Sequence, residues 1–301
     1  MTINAPIMHL LSIDDLADVD IDAILDRSRS HLRSIAAVRP TPFSTGLVFL
    51  SSSLRTRVGF ASATVKLGGV PIEVPERRGG TEMSVPESLG DTLRTASGLV
   101  DVLVTRTVHP LGSAVDGIRS PIVNGGEAGG EHPTQALIDL LAIEEEKGDL
   151  EELSIGLCGD LAARTTRSLV KLFGRRQPKE LVLMGPSERP LAHHSLTMEL
   201  GKITRFEEQL VPDGLDVLYM IGLAPGAGGG EDRLPDSTRR RFALDLDGLR
   251  RLPPNAVVLS PLPLIDEVAR EVWSDPRIRI FEQSDRGVAV RMACLEHVLG
   301  V

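Results

Sequence analysis

Aromatic side chains are scarce: one Trp, one Tyr and seven Phe make up 3% of the 301 residues. A chain of that length buries one large core or two medium ones, and two is the better expectation. Its filling therefore has to be aliphatic. Cysteine is nearly absent. Cys158 and Cys294 make no disulfide framework and no metal-ligand spacing, and a reducing cytoplasm fits them. No apolar stretch reaches membrane-spanning length, and residues 1–11 lack the basic flank and long apolar run of a signal peptide. Positive charge is not in excess. The net charge is −9 and the pI about 5.4, which argues against nucleic acid as the main partner and leaves only a local basic pocket open. No Gly-x-Gly-x-x-Gly follows a first strand and there is no Gly-Lys-Ser/Thr loop, so a nucleotide-binding doubly wound enzyme ranks low. No internal repeat or low-complexity tail appears.

What is present is an alternation of short apolar runs with helical patterns. Ser12 caps a first helix through Leu16, Ile21, Ile24 and Leu25 to about Leu32. A strand over 47–50 leads to a helix from near Arg55 to the Gly68-Gly69 stop. A strand over 70–74, a loop over 75–83, a helix carrying Leu89, Leu93 and Ala96, a strand over 100–105, a helix over 111–118 and a strand over 121–124 follow. A glycine-rich loop, 125–131, precedes His132-Pro133-Thr134-Gln135, which opens a helix with Leu137, Leu140, Leu141 and Ile143 on its apolar face. Pro133 suits a first turn. The pattern restarts after Gly148, so this helix bridges into a second domain. Strands over 153–158, 181–184, 217–221 and 256–259 are expected there. Helices are expected over 164–173, 237–251, 265–273 and 287–299, and a loop over 224–232. Strand–helix alternation at crossover spacing gives an α/β fold of doubly wound parallel-sheet domains, whose ligands sit at the carboxyl ends of strands.

The most informative such end is Ser51-Ser52-Ser53-Leu54-Arg55-Thr56-Arg57. There a strand hands over to a helix whose first N–H groups are unpaired and whose dipole favours an anion. Ser53, Arg55 and Thr56 add hydroxyls and a charged fork, which makes a cradle for a phosphate-like dianion. The plainer alternative is a serine-capped helix with solvated arginines. Other strand ends bring Thr105-Arg106, Asn124 onward to His132, Asp160 to Arg164, Ile221-Gly222 and Ser260 to Pro263.

Taken in order, these junctions resemble the aspartate/ornithine carbamoyltransferase family over nearly the whole chain. Ser53-Leu54-Arg55-Thr56-Arg57 is similar to its carbamoyl-phosphate motif, with the leucine form of the acetylornithine and succinylornithine branches. Arg106 matches its next arginine, His132-Pro133-Thr134-Gln135 its histidine motif, and Gly159-Asp160-Leu161 with Arg164-Thr165 the start of its acceptor domain. Ser260-Pro261-Leu262-Pro263 stands where the family has a His-Pro-Leu-Pro or His-Cys-Leu-Pro turn. The resemblance implies two domains joined by interdomain helices. A carbamoyl-phosphate domain would cover 1–134, with the helix 287–301 packing back on it, and an acceptor domain would cover 135–286. It also implies a trimer with shared sites, to which a loop over 75–86 with Ser84 lends residues across subunits. No metal and no organic cofactor is required.

The roles it implies suit the reaction. Ser53, Leu54, Arg55, Thr56 and Arg106 would hold the phosphate. Thr56, Arg106 and His132 would donate to the carbamoyl oxygen as negative charge builds there. Gln135 and the backbone carbonyls of Pro261 and Leu262 would hold the carbamoyl NH2, and Arg164 one acceptor carboxylate. Plainer readings stand beside these: a salt bridge within the fold for Arg57, a helix-start cap for His132, backbone orientation for Asp160, a surface charge for Arg164, and domain bracing for Arg291.

The acceptor half departs from the family. Leu218-Tyr219-Met220 is followed by Ile221-Gly222-Leu223-Ala224, so Gly222 and Ala224 stand where the aspartate enzyme has an arginine and a glutamine for the second carboxylate. The loop lysine is absent beside Ser84. The ornithine signature Asp-x-x-x-Ser-Met-Gly is missing too. The expectation is carbamoyl transfer to a small amine less anionic than aspartate, with aspartate itself still open. The alternative is a non-catalytic relative that binds carbamoyl phosphate as a sensor or assembly partner.

Overall fold

The computed structural model describes residues 7–33, 42–74, 87–187, 204–223 and 234–301. Four parallel strands, β1 (Ser44–Phe49), β2 (Val70–Val74), β3 (Val102–Arg106) and β4 (Ile122–Asn124), form one sheet in the order β2-β1-β3-β4. β1 and β3 are central and nearly all buried, which explains their unbroken apolar runs. β2 is an edge strand and tolerates Pro71. The chain winds from β1 out to β2 and then back across β1 to β3. Right-handed crossovers put those two connections on opposite faces, so the switch point lies between β1 and β3, where Phe49 pairs with Arg106. Helices α1 (Asp18–Arg33) and α2 (Leu54–Lys66) pack against the last helix of the sequence, Gly287–Leu299, and α3 (Leu89–Ala96) buries Leu93 beside Val48, Leu103 and Ile122.

A second sheet holds β5 (Ser154–Gly159), β6 (Glu180–Met184), β7 (Thr204–Glu207), β8 (Val217–Ile221) and β9 (Val257–Leu259), all parallel, in the order β7-β6-β5-β8-β9. Its switch point lies between β5 and β8. Gly159 there has φ +121°, and a Cβ on it would lie 1.7 Å from the Ile221 carbonyl oxygen, so only glycine fits. Around this sheet stand α4 (Pro133–Lys147), α5 (Arg164–Arg175), α6 (Asp236–Arg240), α7 (Leu246–Arg251) and α8 (Ile280–Asp285). Its core joins Val182, Met184, Leu218, Met220, Phe242 and Val258. The chain divides into two compact units, Met1–Thr134 with Gly287–Val301, and Gln135–Arg286.

Several local expectations change. Ser12 and Asp15 form a capping box, but it closes only the 3-10 turn Ile13–Asp15; Leu16 leaves the helical region, and α1 begins afresh at Asp18. The helix expected over 111–118 is a 3-10 turn, Gly112–Val115, with Gly112 and Gly117 at positive φ. The charged helix over 237–251 breaks into α6 and α7 because Leu244 bridges to Val268 as extended chain and Asp245 recaps the next turn. That bridge also holds 265–268 out of a helix, leaving only the turn Arg270–Val272. β7 and α8 were not foreseen. The loop expectations for 75–83 and 224–232, and Ser84 and Ala224 with them, lie outside the described residues.

Candidate active site

In the first unit the chain leaves β1 with Leu50 N–H donating to the Arg106 carbonyl at 2.8 Å. Three serines later α2 begins. Ser53 is its N-cap residue, in extended backbone, yet its hydroxyl caps nothing, and no acidic side chain stands in the first turn. The plain capped helix is therefore not what forms. The positive end of a 13-residue helix keeps its N–H groups without a side-chain cap. Leu54 and Arg55 face outward and Thr56 is buried. Desolvation by its surroundings holds the Arg55 guanidinium below its ordinary pKa. Arg57 makes the fold-internal pair, with Nη2 at 2.6 Å and Nε at 2.9 Å from the Glu73 carboxylate on the edge strand.

Arg106 ends β3 and is buried. Its Nε donates to Ser51 Oγ at 3.3 Å and its Nη1 to the Gly125 carbonyl at 3.0 Å. Gly125 follows β4 and lies so near that a Cβ would meet Thr56 Cγ2 at 3.2 Å. The ends of β1, β3 and β4 thus gather Ser51, Thr56 and Arg106 around one glycine. The loop to His132 is fastened by Asn124, whose side-chain amide donates to the carbonyls of Leu11 (2.9 Å) and Glu131 (3.3 Å) and whose Oδ1 accepts from Gly126 N–H (2.8 Å). The Glu131 carboxylate accepts from the Ser12 hydroxyl at 2.6 Å. His132 itself is buried, with Nδ1 3.4 Å from Thr134 Oγ1.

Arg291, on the last helix, adds a second cation near Arg55. It is buried with its guanidinium carbon 5.6 Å from the Phe60 ring centroid and fills the space over Gly59. Burial lowers its pKa to about 10, and the charge of Arg55 pushes the same way. Its Nε has no hydrogen-bond acceptor among the described residues. It packs on α2 within its own unit.

In the second unit Gln135 lies on the first turns of α4 and donates from Nε2 to Asp139 Oδ1 at 2.8 Å. Asp139 is fully buried and also receives Tyr219 O–H at 2.6 Å and a short hydrogen bond from Gln283 Nε2. Burial raises its carboxyl to about 7, against the pull of those three donors. Gln283 Oε1 accepts from Ser260 N–H at 2.9 Å, and Ser260 Oγ accepts from Leu262 N–H at 3.2 Å. Leu262 sits at φ +59° before a cis Leu262–Pro263 bond; a non-glycine residue in that region is held there by its surroundings.

Arg164 opens α5, half-buried, with its pKa lowered by desolvation; no ion pair is made to it among the described residues. Asp160 orients backbone, accepting from Ala162 N–H at 3.0 Å. Beside Gly222 stands Glu267, whose Oε2 lies 3.3 Å from where a Cβ on that glycine would be. Oε2 accepts from the N–H groups of Ile265 and Asp266, while the buried Oε1 has no hydrogen-bond partner among the described residues, and burial raises the carboxyl's pKa. Asp139, Gln283 and Glu267 were missed as site-forming residues. Only Asp139 carried a signal, as a carboxylate between Leu137 and Leu140–Leu141 on an apolar face. No group of three His, Cys, Asp or Glu among the described residues is arranged to hold a metal.

Two family descriptions match the chain. "Aspartate/ornithine carbamoyltransferase, carbamoyl-P binding domain" covers residues 8–145, and "Aspartate/ornithine carbamoyltransferase, Asp/Orn binding domain" covers residues 151–298. The aspartate carbamoyltransferase catalytic subunit of Finegoldia magna is 36% identical over 313 residues, spanning 97% of this chain and 98% of that protein. The corresponding protein of Alkaliphilus metalliredigens is 33% identical over 97% of both. Among solved structures, aspartate transcarbamoylase from Trypanosoma cruzi in complex with carbamoyl phosphate superposes with a TM-score of 0.83 at 28% identity, covering 96% of this chain and 97% of that one.

Proposed function

The chain belongs to the aspartate/ornithine carbamoyltransferase family, and from that premise we propose that it moves the carbamoyl group of carbamoyl phosphate onto the free amine of an amino acid, releasing phosphate. The observation that carries the donor half is the start of α2, where Ser53 leaves the helix end without a side-chain cap and Thr56 and Arg106 close around Gly125. In this reading Ser53, Arg55, Thr56 and Arg106 bind the phosphate. The amine attacks as its free base, so that the C–N bond forms as charge builds on the carbamoyl oxygen. Thr56, Arg106 and His132 donate to that oxygen. The C–O bond to phosphate then breaks, and the departing phosphate collects the proton shed by the amine. Gln135, Pro261 and Leu262 hold the carbamoyl NH2. Most of the acceleration comes from placing two bound substrates against each other.

The acceptor in this proposal carries one carboxylate, met by Arg164, and lacks a second. Gly222 offers no cation, and the Glu267 carboxylate beside it repels an anion. A homotrimer in a reducing cytoplasm is part of the same reading; light scattering of the purified protein tests the trimer. The activity is tested by mixing pure protein with carbamoyl phosphate and a panel of amino acids that includes aspartate, asparagine and ornithine. Phosphate release together with a ureido product is expected for at least one. No release above background with any of them counts against the proposal.

A further inference from the structure

The two groups assigned to the carbamoyl NH2, Gln135 and the Ser260–Leu262 turn, are far apart in sequence but hang from one buried carboxylate. A carboxylate only accepts hydrogen bonds. Facing Asp139, both glutamines must therefore present nitrogen. Gln135 keeps Nε2 on Asp139 Oδ1 at 2.8 Å and is left with Oε1 as its free acceptor, the atom an N–H of the substrate needs. Gln283 likewise has only Oε1 left, and it spends that atom on Ser260 N–H at 2.9 Å, the residue whose hydroxyl then fixes Leu262 N–H. Tyr219 O–H closes the second carboxylate oxygen at 2.6 Å.

We propose that Asp139 is a positioning residue for the carbamoyl donor: by accepting from Gln135, Gln283 and Tyr219 it turns the Gln135 carbonyl oxygen and the Ser260–Leu262 backbone toward the substrate's NH2. This rests on the carbamoyl-transfer reading. Protonation on Oδ2 leaves the arrangement standing, because Oδ1 still accepts from both glutamines and the new O–H donates to the Tyr219 oxygen. The carboxyl's pKa near 7 puts that protonation in an accessible range. Tyr219 is the titratable side chain in contact with it among the described residues; the other two contacts are neutral amides, and no charged side chain contributes to the shift.

Acetyl phosphate places a methyl where carbamoyl phosphate has its NH2, so the ratio of the two dissociation constants reads the NH2 grip alone. Calorimetric titration of the whole chain at pH 8 should give wild type a preference for carbamoyl phosphate of about tenfold. Asp139→Leu, shown folded by its melting temperature, should bring the ratio to within about threefold while leaving inorganic phosphate binding unchanged. Asp139→Asn can still accept from both glutamines through Oδ1 and donate to Tyr219 through Nδ2. It should keep the wild-type ratio at pH 8 and at pH 6, as should wild type, whose protonated carboxyl offers the same acceptor and donor. If Asp139→Leu does not fold, Gln283→Leu carries the test, since it cuts the turn from the carboxylate and should lower the ratio several-fold. The inference is overturned if wild type does not discriminate, if the folded Leu variant discriminates as well as wild type, or if Asp139→Asn fails as badly as Asp139→Leu. Wild type binding none of the three anions would instead strike down the carbamoyl-transfer reading.

Discussion

Thr56 and Gly125 face each other so closely that a Cβ on the glycine would lie 3.2 Å from Thr56 Cγ2 and 3.1 Å from the Thr105 carbonyl oxygen. The contact joins the first turn of α2 to the end of β4, and the Gly125 carbonyl also receives Arg106. Gly125→Ala should therefore shift Thr56 and Arg106 together by tenths of an ångström. Misplacement on that scale costs roughly tenfold or more in catalysis, with a loss of about 1 kcal/mol in stability for a mild overpacking. Steady-state kinetics beside denaturant unfolding checks whether activity falls far more than stability.

Arg55 and Arg57 lie two residues apart and should behave as opposites. Arg57 is tied to Glu73 in an exposed pair, worth about 0–1 kcal/mol. Arg57→Ala should leave carbamoyl phosphate binding within about twofold of wild type, because a solvated pair contributes little. Arg55→Ala removes a charged donor from the helix end and should weaken binding by tenfold or more. Calorimetric titration of both variants decides the assignment; equal losses would contradict it.

The raised pKa of Asp139 also sets a sign for stability. Its folded value, about 7, lies above its unfolded value of about 4. Between those two pH values the folded chain holds a proton that the unfolded chain has lost, so this residue's contribution falls as pH rises through the window and is lowest above 7. The penalty is on the order of 4 kcal/mol. Asp139→Asn cannot ionise, so its melting temperature should gain on wild type steadily from pH 5 to pH 8. A difference flat across that range would show that the carboxyl does not titrate there.

Glu267→Gln removes the negative charge beside Gly222 while keeping an oxygen for Ile265 and Asp266 N–H. If Glu267 is what disfavours a dicarboxylic acceptor, the variant should raise kcat/KM for aspartate several-fold relative to asparagine. Competition between the two amino acids in one reaction, with products separated by mass, measures the ratio directly. An unchanged ratio would remove Glu267 from the account of specificity.

The parallel sheets were legible because β1, β3, β5 and β8 are buried on both faces and so leave unbroken apolar runs such as Val102–Val104. The donor motif was legible because its residues are contiguous. What stayed hidden depends on distance. Nothing local marks Gln283 as a partner of Asp139, 144 residues away. Leu244 pairs with Val268 by a backbone bridge that leaves no mark on composition, so 237–251 still reads as one helix. Ser53 looked like a cap, and only the geometry of its hydroxyl removes that reading.

His31 on α1 lies 2.8 Å from Glu296 on the last helix, a partner 265 residues further along. During synthesis a ribosome emits that helix only after all of Gln135–Arg286 has left the tunnel. The nascent first sheet must wait, with the apolar flanks of α1 and α2 uncovered, while the later unit is already complete. Loop closure over such a span is slow, so newly made chains should need chaperone protection chiefly at their oldest end.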